Sequence, residues 1–490
     1  MRGRTLVLLA LCALAARGES QTAPRADLLR HGLLAPGSAA QLPSAEQERL
    51  GREVLRELIE IDTTNAHGDT TAAAVALAAR FRAAGFPEAD VQVIGAAPRK
   101  GNLLVRYRGR GGARRPVLFL AHLDVVEALR EDWSLDPFVL SERDGYFYGR
   151  GTLDVKGGAA TLACAFLRLR EEGYLPERDL VLALTADEEG GEHNGVQWLI
   201  EHRRELIDSA FCINVDSGGG ELRHGKLWAL DVQAAEKVYV SFTLTARNPG
   251  GHSSLPGREN AIYRLAAALS RLAAHQFPAR TNEVTRAYLR GLAELESGQE
   301  AADLRAAANQ PPDPAAVARV SAGSVFANAV LRTTCVATLL RGGHAENALP
   351  QTAQATVNCR MLPDEDPAAV RAALVAAIAD DQVAVAAIGA PLAGPASPLT
   401  PEVLAAIRAA AARVWGVTPV LPMMETGATD GLRLRNAGIP VYGVTGIAYD
   451  PDDVRAHGKD ERILVRSYLE GLEFAYHLIR ALSGDADPRG

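Results

Sequence analysis

The order of apolar runs in this chain predicts an α/β protein whose mostly parallel sheet is interrupted by a smaller ferredoxin-like α+β domain. Strand-like and helix-like segments alternate over the first half, the pattern of a sheet covered on both faces. From about Lys237 the strands change to apolar/polar alternation, as in VYVSFTLTA, which belongs to a half-exposed sheet. A chain of 490 residues, 48% hydrophobic and 23% charged, is too long for one ordinary core.

Arg2 and Arg4 precede an apolar stretch, Leu6 to Ala16, and then small residues. This is the layout of a secretory signal peptide over residues 1–18, too short to span a bilayer, and export to a periplasmic or extracellular space follows. Leu11 argues against lipidation of Cys12, and no later segment reads as a membrane anchor. Residues 19–43, rich in Pro, Ala, Gly and Ser, read as a leader. Ser44 with Gln47 is a capping-box signature that opens a helix. A helix over Thr71–Ala84 and the strands VQVIG, NLLVRY and PVLFLA follow. Next come a helix over Ala159–Glu172, the strand DLVLALTA, a helix near Val196–His202 and the strand FCINVD. These make the first part of one domain, residues 44–235.

Residues 236–390 form the second domain. VYVSFTLTA, a helix over Asn260–Ala274, strands at Ala329–Leu340 and Ala355–Leu362, a helix over Pro367–Ile378 and the strand QVAVAAIG give a β-α-β-β-α-β order. A charged helical stretch, Thr281–Val320, is inserted in it. The Gly/Pro-rich segment 389–398 leads back to the first domain, completed over 391–485 by a helix at Pro401–Val414, the strand VYGVTG and a helix over Leu464–Leu482.

The net charge of −7 offers no attraction to nucleic acid or an anionic membrane surface, so the partner is a small molecule or a peptide. Cys164, Cys212, Cys335 and Cys359 sit among apolar residues without metal-type spacing. They read as inert core cysteines, although an exported chain could pair some of them.

The chemistry lies at the ends of the apolar runs: His122 and Asp124 in FLAHLD, Asp154 in GRGTLD, Glu188 and Glu189 in LALTADEE, Asp216 in INVD and His457 in RAHGKDE. A carboxylate or imidazole at a buried strand end is costly unless paired, and two divalent ions would pair all of them. The inventory suits such a pair: two histidines, two terminal carboxylates and a third carboxylate able to bridge. Asp124 is placed to accept the second ring N–H of His122 and fix its tautomer. The adjacent Glu188 and Glu189 point in different directions, so one is left free as a general base on a water that the metals acidify. Taken singly, an HxD or a DEE is more often part of a solvated loop; five such ends in the order His, Asp, Glu-Glu, Asp, His are not explained that way.

These residues resemble the M20 family of co-catalytic zinc peptidases and deacylases. AHLDVV, YGRGTLDVKGG, TADEEGG, INVDSGG, GGHSSLP, ENALP and AHGKDER match in order from about Ser44 to Leu482. The resemblance implies a di-zinc exopeptidase-type catalytic domain with a lid domain that also carries a homodimer contact. It implies two Zn²⁺, with Co²⁺ and Mn²⁺ also suited to the ligands. His122 and Asp216 would hold one ion, Glu189 and His457 the other, and Asp154 would bridge them before a cis peptide bond. It also implies Glu188 as general acid/base with Asp124 supporting His122, and His252 reaching the active site of the dimer mate to stabilise the oxyanion. Arg360 would grip the substrate carboxylate, with Asn347 and Gly427 as further substrate contacts. Ala66 and His67 stand where the family has prolines, and His193, His344 and Asp430 match no ligand.

The activity expected is hydrolysis of an amide bond beside a free α-carboxylate, by a carboxypeptidase or dipeptidase. An N-acyl-amino-acid amidohydrolase would use the same centre. A metal-loaded binding module without catalysis is the reading from another class.

Overall fold

This structure, a computed structural model, describes residues 41–484. The expected signal segment and the leader up to residue 40 lie outside the described residues. Helix α1 (Ala45–Glu60) starts where expected, with Ser44 Oγ accepting the Gln47 N–H at 3.3 Å. Then come α2 (Thr70–Ala83), β1 (Val91–Gly95), β2 (Gly101–Tyr107), β3 (Val117–His122), α3 (Lys156–Glu171), β4 (Leu180–Thr185), α4 (Gly195–His202) and β5 (Phe211–Asn214). A hairpin follows, β6 (Gly219–Arg223) and β7 (Lys226–Glu236). The sequence reading missed it. Its signal is His224-Gly225, both at positive φ, the requirement of a tight two-residue turn.

The second domain holds β8 (Val238–Arg247), α5 (Ala261–Ala274), four helices α6 (Glu283–Leu295), α7 (Gly298–Ala307), α8 (Pro314–Gly323) and α9 (Val325–Leu331), then β9 (Thr334–Gly342), β10 (Thr352–Met361), α10 (Pro367–Ile378) and β11 (Val383–Ile388). The strand expected from Ala329 begins only at Thr334. Ser324 Oγ caps the preceding segment by accepting the Ala327 N–H, and VFANAVL becomes helix. The chain returns through α11 (Pro401–Trp415), β12 (Val420–Glu425), α12 (Gly431–Asn436), β13 (Val441–Gly443), β14 (Ala448–Tyr449) and α13 (Val465–Ser483). Strand β12 was also not foreseen.

The large sheet has ten strands in the order β1-β2-β4-β3-β5-β13-β7-β6-β14, with β12 beside β7. Its centre, β4-β3-β5-β13, is parallel, and the flanks are mixed. β3 sends Val117, Phe119 and Ala121 to one face and Leu118 and Leu120 to the other. Both faces are therefore covered, by α3 and α13 on one side and by α4 and α12 on the other. That explains why β3 and β4 read as unbroken apolar runs.

The smaller sheet, β9-β10-β8-β11, is antiparallel, and α5 and α10 pack on it through Leu265, Leu272, Val370 and Leu374. This is the expected β-α-β-β-α-β unit. Helix α6 does not join that core: Tyr288 packs with Ala229, Leu421 and Met423 on the large sheet. Two of the cysteines read as inert are in fact bonded. Cys335 and Cys359 are partners across β9 and β10 and form a disulfide, while Cys164 and Cys212 stay reduced and buried. Alkylation without reductant should therefore label neither Cys335 nor Cys359, and after reduction both, as read by peptide mass. Among the described residues no helix is long and apolar enough to cross a membrane.

Candidate metal centre

The parallel centre of the sheet gathers the acidic and histidine residues at one edge. His122 ends β3, Glu188 and Glu189 follow β4, and Asp216 follows β5, so all emerge at strand carboxyl ends, where open α/β sheets bind ligands. Asp154 precedes α3, and His457 lies in the loop before α13.

Asp154 offers one oxygen to each histidine. Its Oδ1 lies 3.1 Å from His122 Nε2, and its Oδ2 lies 3.0 Å from His457 Nε2. Asp216 Oδ1 is 3.3 Å from His122 Nε2, and Glu189 Oε1 is 2.8 Å from His457 Nε2. The result is two groups of three that share Asp154: His122, Asp154 and Asp216, and Asp154, Glu189 and His457, each with ligand atoms within 4.8 Å of one another. Imidazole nitrogen with carboxylate oxygen is a donor set that suits zinc, and the shared carboxylate suits a pair of ions. The Asp154–Val155 peptide is cis, as the resemblance implies.

Asp124 acts differently from the expectation. The ring N–H of His122 goes to the Asp124 backbone carbonyl, with Nδ1 at 2.9 Å, while the carboxylate is 3.7 Å away. A carbonyl only accepts, so Nδ1 carries a proton and Nε2 is the nitrogen that would give its lone pair to a metal ion. The Asp124 carboxylate instead accepts the N–H groups of Glu188 at 3.1 Å and Glu189 at 3.0 Å. It fixes the turn that aims the two glutamates.

Other groups at this edge were missed in the sequence. Glu461, fully buried, accepts from the N–H groups of Gly151 at 3.0 Å, Leu153 at 2.7 Å and Asp154 at 3.1 Å, and pairs with Arg150 at 2.7 Å. It clamps the turn that carries the shared aspartate. Lys100 pairs with Asp187 at 2.6 Å and also donates to the Asn65 carbonyl, pinning the segment that lacks the family's prolines. Asp430, which matches no ligand of the family, is buried and accepts from Asn194 Nδ2 at 2.7 Å.

The charges are tightly coupled. Burial would lower the proton affinity of His122, but Asp216 and Asp154 outweigh it and hold it well above the usual imidazole value. The hydrogen bond to Asp154 raises His457 to about 9. Burial and then Asp154 push Glu189 up to about 7, and burial and then Asp216 push Glu188 up to about 10. Among the described residues the Glu188 carboxylate makes no ion pair. The metal-free centre therefore carries protons at neutral pH that two cations would displace. Zinc added to metal-stripped protein at pH 7 should release protons, and affinity should weaken as the pH falls below about 9 and the histidines hold their protons, both readable by calorimetry in buffers of different ionisation enthalpy.

The other candidate residues lie apart from this cluster. His252 pairs with Ala348 in a short exposed ribbon; its Nδ1 accepts the Ser254 N–H at 3.2 Å, so the neutral ring carries its proton on Nε2. Asn347 is beside it, its carbonyl accepting the Ser253 N–H at 3.0 Å. Arg360 is on β10, its guanidinium 4.8 Å from the centre of the Tyr239 ring. These contacts all stay within the second domain. Gly427 is in the loop after β12, its N–H donating to Glu425 Oε1 at 3.4 Å.

The family described as Peptidase family M20/M25/M40 matches residues 118–481. The human N-fatty-acyl-amino acid synthase/hydrolase PM20D1 is 31% identical over 410 residues, 79% of this chain and 78% of that protein. The probable carboxypeptidase S-like 2 of Dictyostelium discoideum is 27% identical over 388 residues, 77% and 74% of the two chains. Among solved structures, the M20 family metallo-carboxypeptidase Sso-CP2 from Sulfolobus solfataricus superposes with a TM-score of 0.66 at 17% identity, over 88% of this chain and 99% of that one.

Proposed function

Because the chain belongs to the peptidase M20/M25/M40 family and is a metal-dependent amide hydrolase, we propose that it is a two-zinc exopeptidase. It would cleave the amide bond beside a free α-carboxylate of a dipeptide or short peptide. The observation that carries this is the pair of three-ligand groups sharing Asp154, with the Glu188 carboxylate close enough for the Asp216 charge to act on it. His122 and Asp216 would hold one ion, Glu189 and His457 the other, and Asp154 both; cobalt or manganese would also fit. Ions held there would acidify a water and polarise the scissile carbonyl. Glu188 takes the water's proton and delivers it to the leaving amine. Arg360 would suit the substrate carboxylate with its planar fork, and Asn347 and Gly427 would be further substrate contacts.

The His252 Nε2–H is a donor suited to the oxyanion, in the site of a second copy. The exposed edge of the small sheet supports such a dimer: β9 leaves Val336, Leu339 and Leu340 about 60–70% exposed on an unpaired edge, which a second copy would cover. Mixing the inactive Glu188→Ala and His252→Ala proteins should then restore activity in the mixed dimer, and a fully active monomer in sedimentation would refute the exchange.

A second reading is favoured by the name of the human relative: the acyl half would be a fatty acyl group and the enzyme an N-acyl-amino-acid hydrolase. Amine release from a panel of dipeptides, tripeptides and N-acyl amino acids, with Glu188→Ala as the blank, separates the two. Silence on the whole panel with metal bound would leave only a binding module. Export rests on the basic and apolar start of the chain, and the Cys335–Cys359 bond fits an oxidising compartment. The mass of the mature N-terminus tests it.

A further inference from the structure

The strand surface beside Asp216 carries acidic groups that the reaction above does not use. In β7, Leu230, Val232 and Ala234 face the main core, while Ala229 packs under α6 on the opposite side. Alternation sends Asp231 and Gln233 to that same side, where Leu421 and Met423 are their partners on β12. Asp231 is 4% exposed, and its Oδ1 has no hydrogen-bond partner. Burial, then the negative charges of Glu221 and Glu425, push this acid up to about 7. Tyr288 of α6 and Tyr449 of β14 are close enough that, after burial, Asp231 is the largest influence on both phenols.

Three carboxylates and two phenols from five elements thus converge, with little positive charge to match. Arg223 is near, but it pairs with Glu221 at 2.8 Å and Glu296 at 3.4 Å and lies 3.2 Å from the centre of the Trp228 ring. The three carboxylates do not make up either of the metal-capable groups found among the described residues, so a bare ion is not the best match. The cluster adjoins the catalytic centre: Glu425 Oε2 meets the hydroxyl of Ser217, the residue after Asp216, at 3.4 Å. A buried carboxylate without a partner is costly to the fold, and a cation from outside would complete it.

We propose that Asp231 and Glu425, with Glu221, Tyr288 and Tyr449 around them, form a subsite for a protonated amine carried by the substrate. This rests on the proposed amide hydrolysis at the neighbouring centre and names the class of substrate it prefers. A site built to pair with such a group discriminates strongly against an analogue that lacks it.

The test uses the zinc-loaded chain and two matched pairs, ε-aminocaproyl-alanine against caproyl-alanine and N-acetyl-lysine against N-acetyl-norleucine. In at least one pair the amine-bearing member should have a kcat/KM higher by about tenfold or more, mostly through KM. Asp231→Asn and Glu425→Gln should each shrink that ratio towards one. Equal rates within both pairs, or a preference that survives both substitutions, overturn the subsite and leave the hydrolase reading intact. No release from any of the four by a chain that does cleave dipeptides overturns the subsite alone, and no release from the four or from dipeptides, with metal bound, overturns the hydrolase reading and the subsite with it.

Discussion

Glu188→Ala should lower kcat by about a thousandfold, within the 10²–10⁴ range of positioned general acid–base catalysis, while the protein still binds two metal ions. The separation follows from geometry. Glu188 belongs to neither three-ligand group, so its loss leaves His122, Asp154, Asp216, Glu189 and His457 in place. Burial and the negative charge of Asp216 already disfavour its ionised form in the metal-free protein, so its removal should not destabilise that form. The diagnostic result is thus a collapse of turnover with unchanged metal content and an unchanged or higher melting temperature. If Glu188→Ala keeps more than a tenth of wild-type turnover, the proton passes through another group. If it loses a metal ion, Glu188 is a ligand and Glu189 becomes the candidate base.

How much of this was legible in the sequence depended on whether a residue acts through its own side chain at a strand end. His122, Asp216 and the glutamate pair announce themselves because each ends an apolar run that can only be a buried strand. Strands β3 and β4 were equally plain, since both faces are covered and every position but the last is apolar. Asp124 shows the limit: the residue was right and the atom was wrong, because the backbone turns after His122 and brings a carbonyl, not the carboxylate, to the ring. The hairpin of β6 and β7 was passed over since its register shifts and its apolar runs are uneven. The helical insertion looked like part of the second domain by position along the chain, yet Tyr288 and Leu289 are buried in other clusters, Tyr288 against Ala229, Leu421 and Met423 of the large sheet. Asp231 could not be singled out at all, because an unpaired buried acid looks in sequence like any other aspartate in a strand.

Glu461→Gln should be the most destabilising single change near the centre, by about 3–5 kcal/mol, the cost of leaving one member of a buried ion pair alone. Arg150 is 2% exposed and would lose its charged partner. The amide also cannot accept on both sides: Oε2 now takes the Gly151 N–H and Oε1 takes those of Leu153 and Asp154, and a glutamine must turn an NH₂ towards one of them. The turn before α3 loosens, and with it the carboxylate that faces both histidines. Zinc affinity should fall about 10–100-fold, the usual effect of removing a group that orients a ligand. These two losses can be pulled apart. Removing both charges, with Arg150→Met and Glu461→Gln together, should recover part of the stability in urea denaturation because no buried charge is left unpaired. It should not recover zinc affinity in full, because the amide has one acceptor oxygen and leaves either the Gly151 N–H or those of Leu153 and Asp154 facing an NH₂. Recovery of both would mean that Glu461 serves the fold alone and that Asp154 is held by its own hydrogen bonds to His122 and His457.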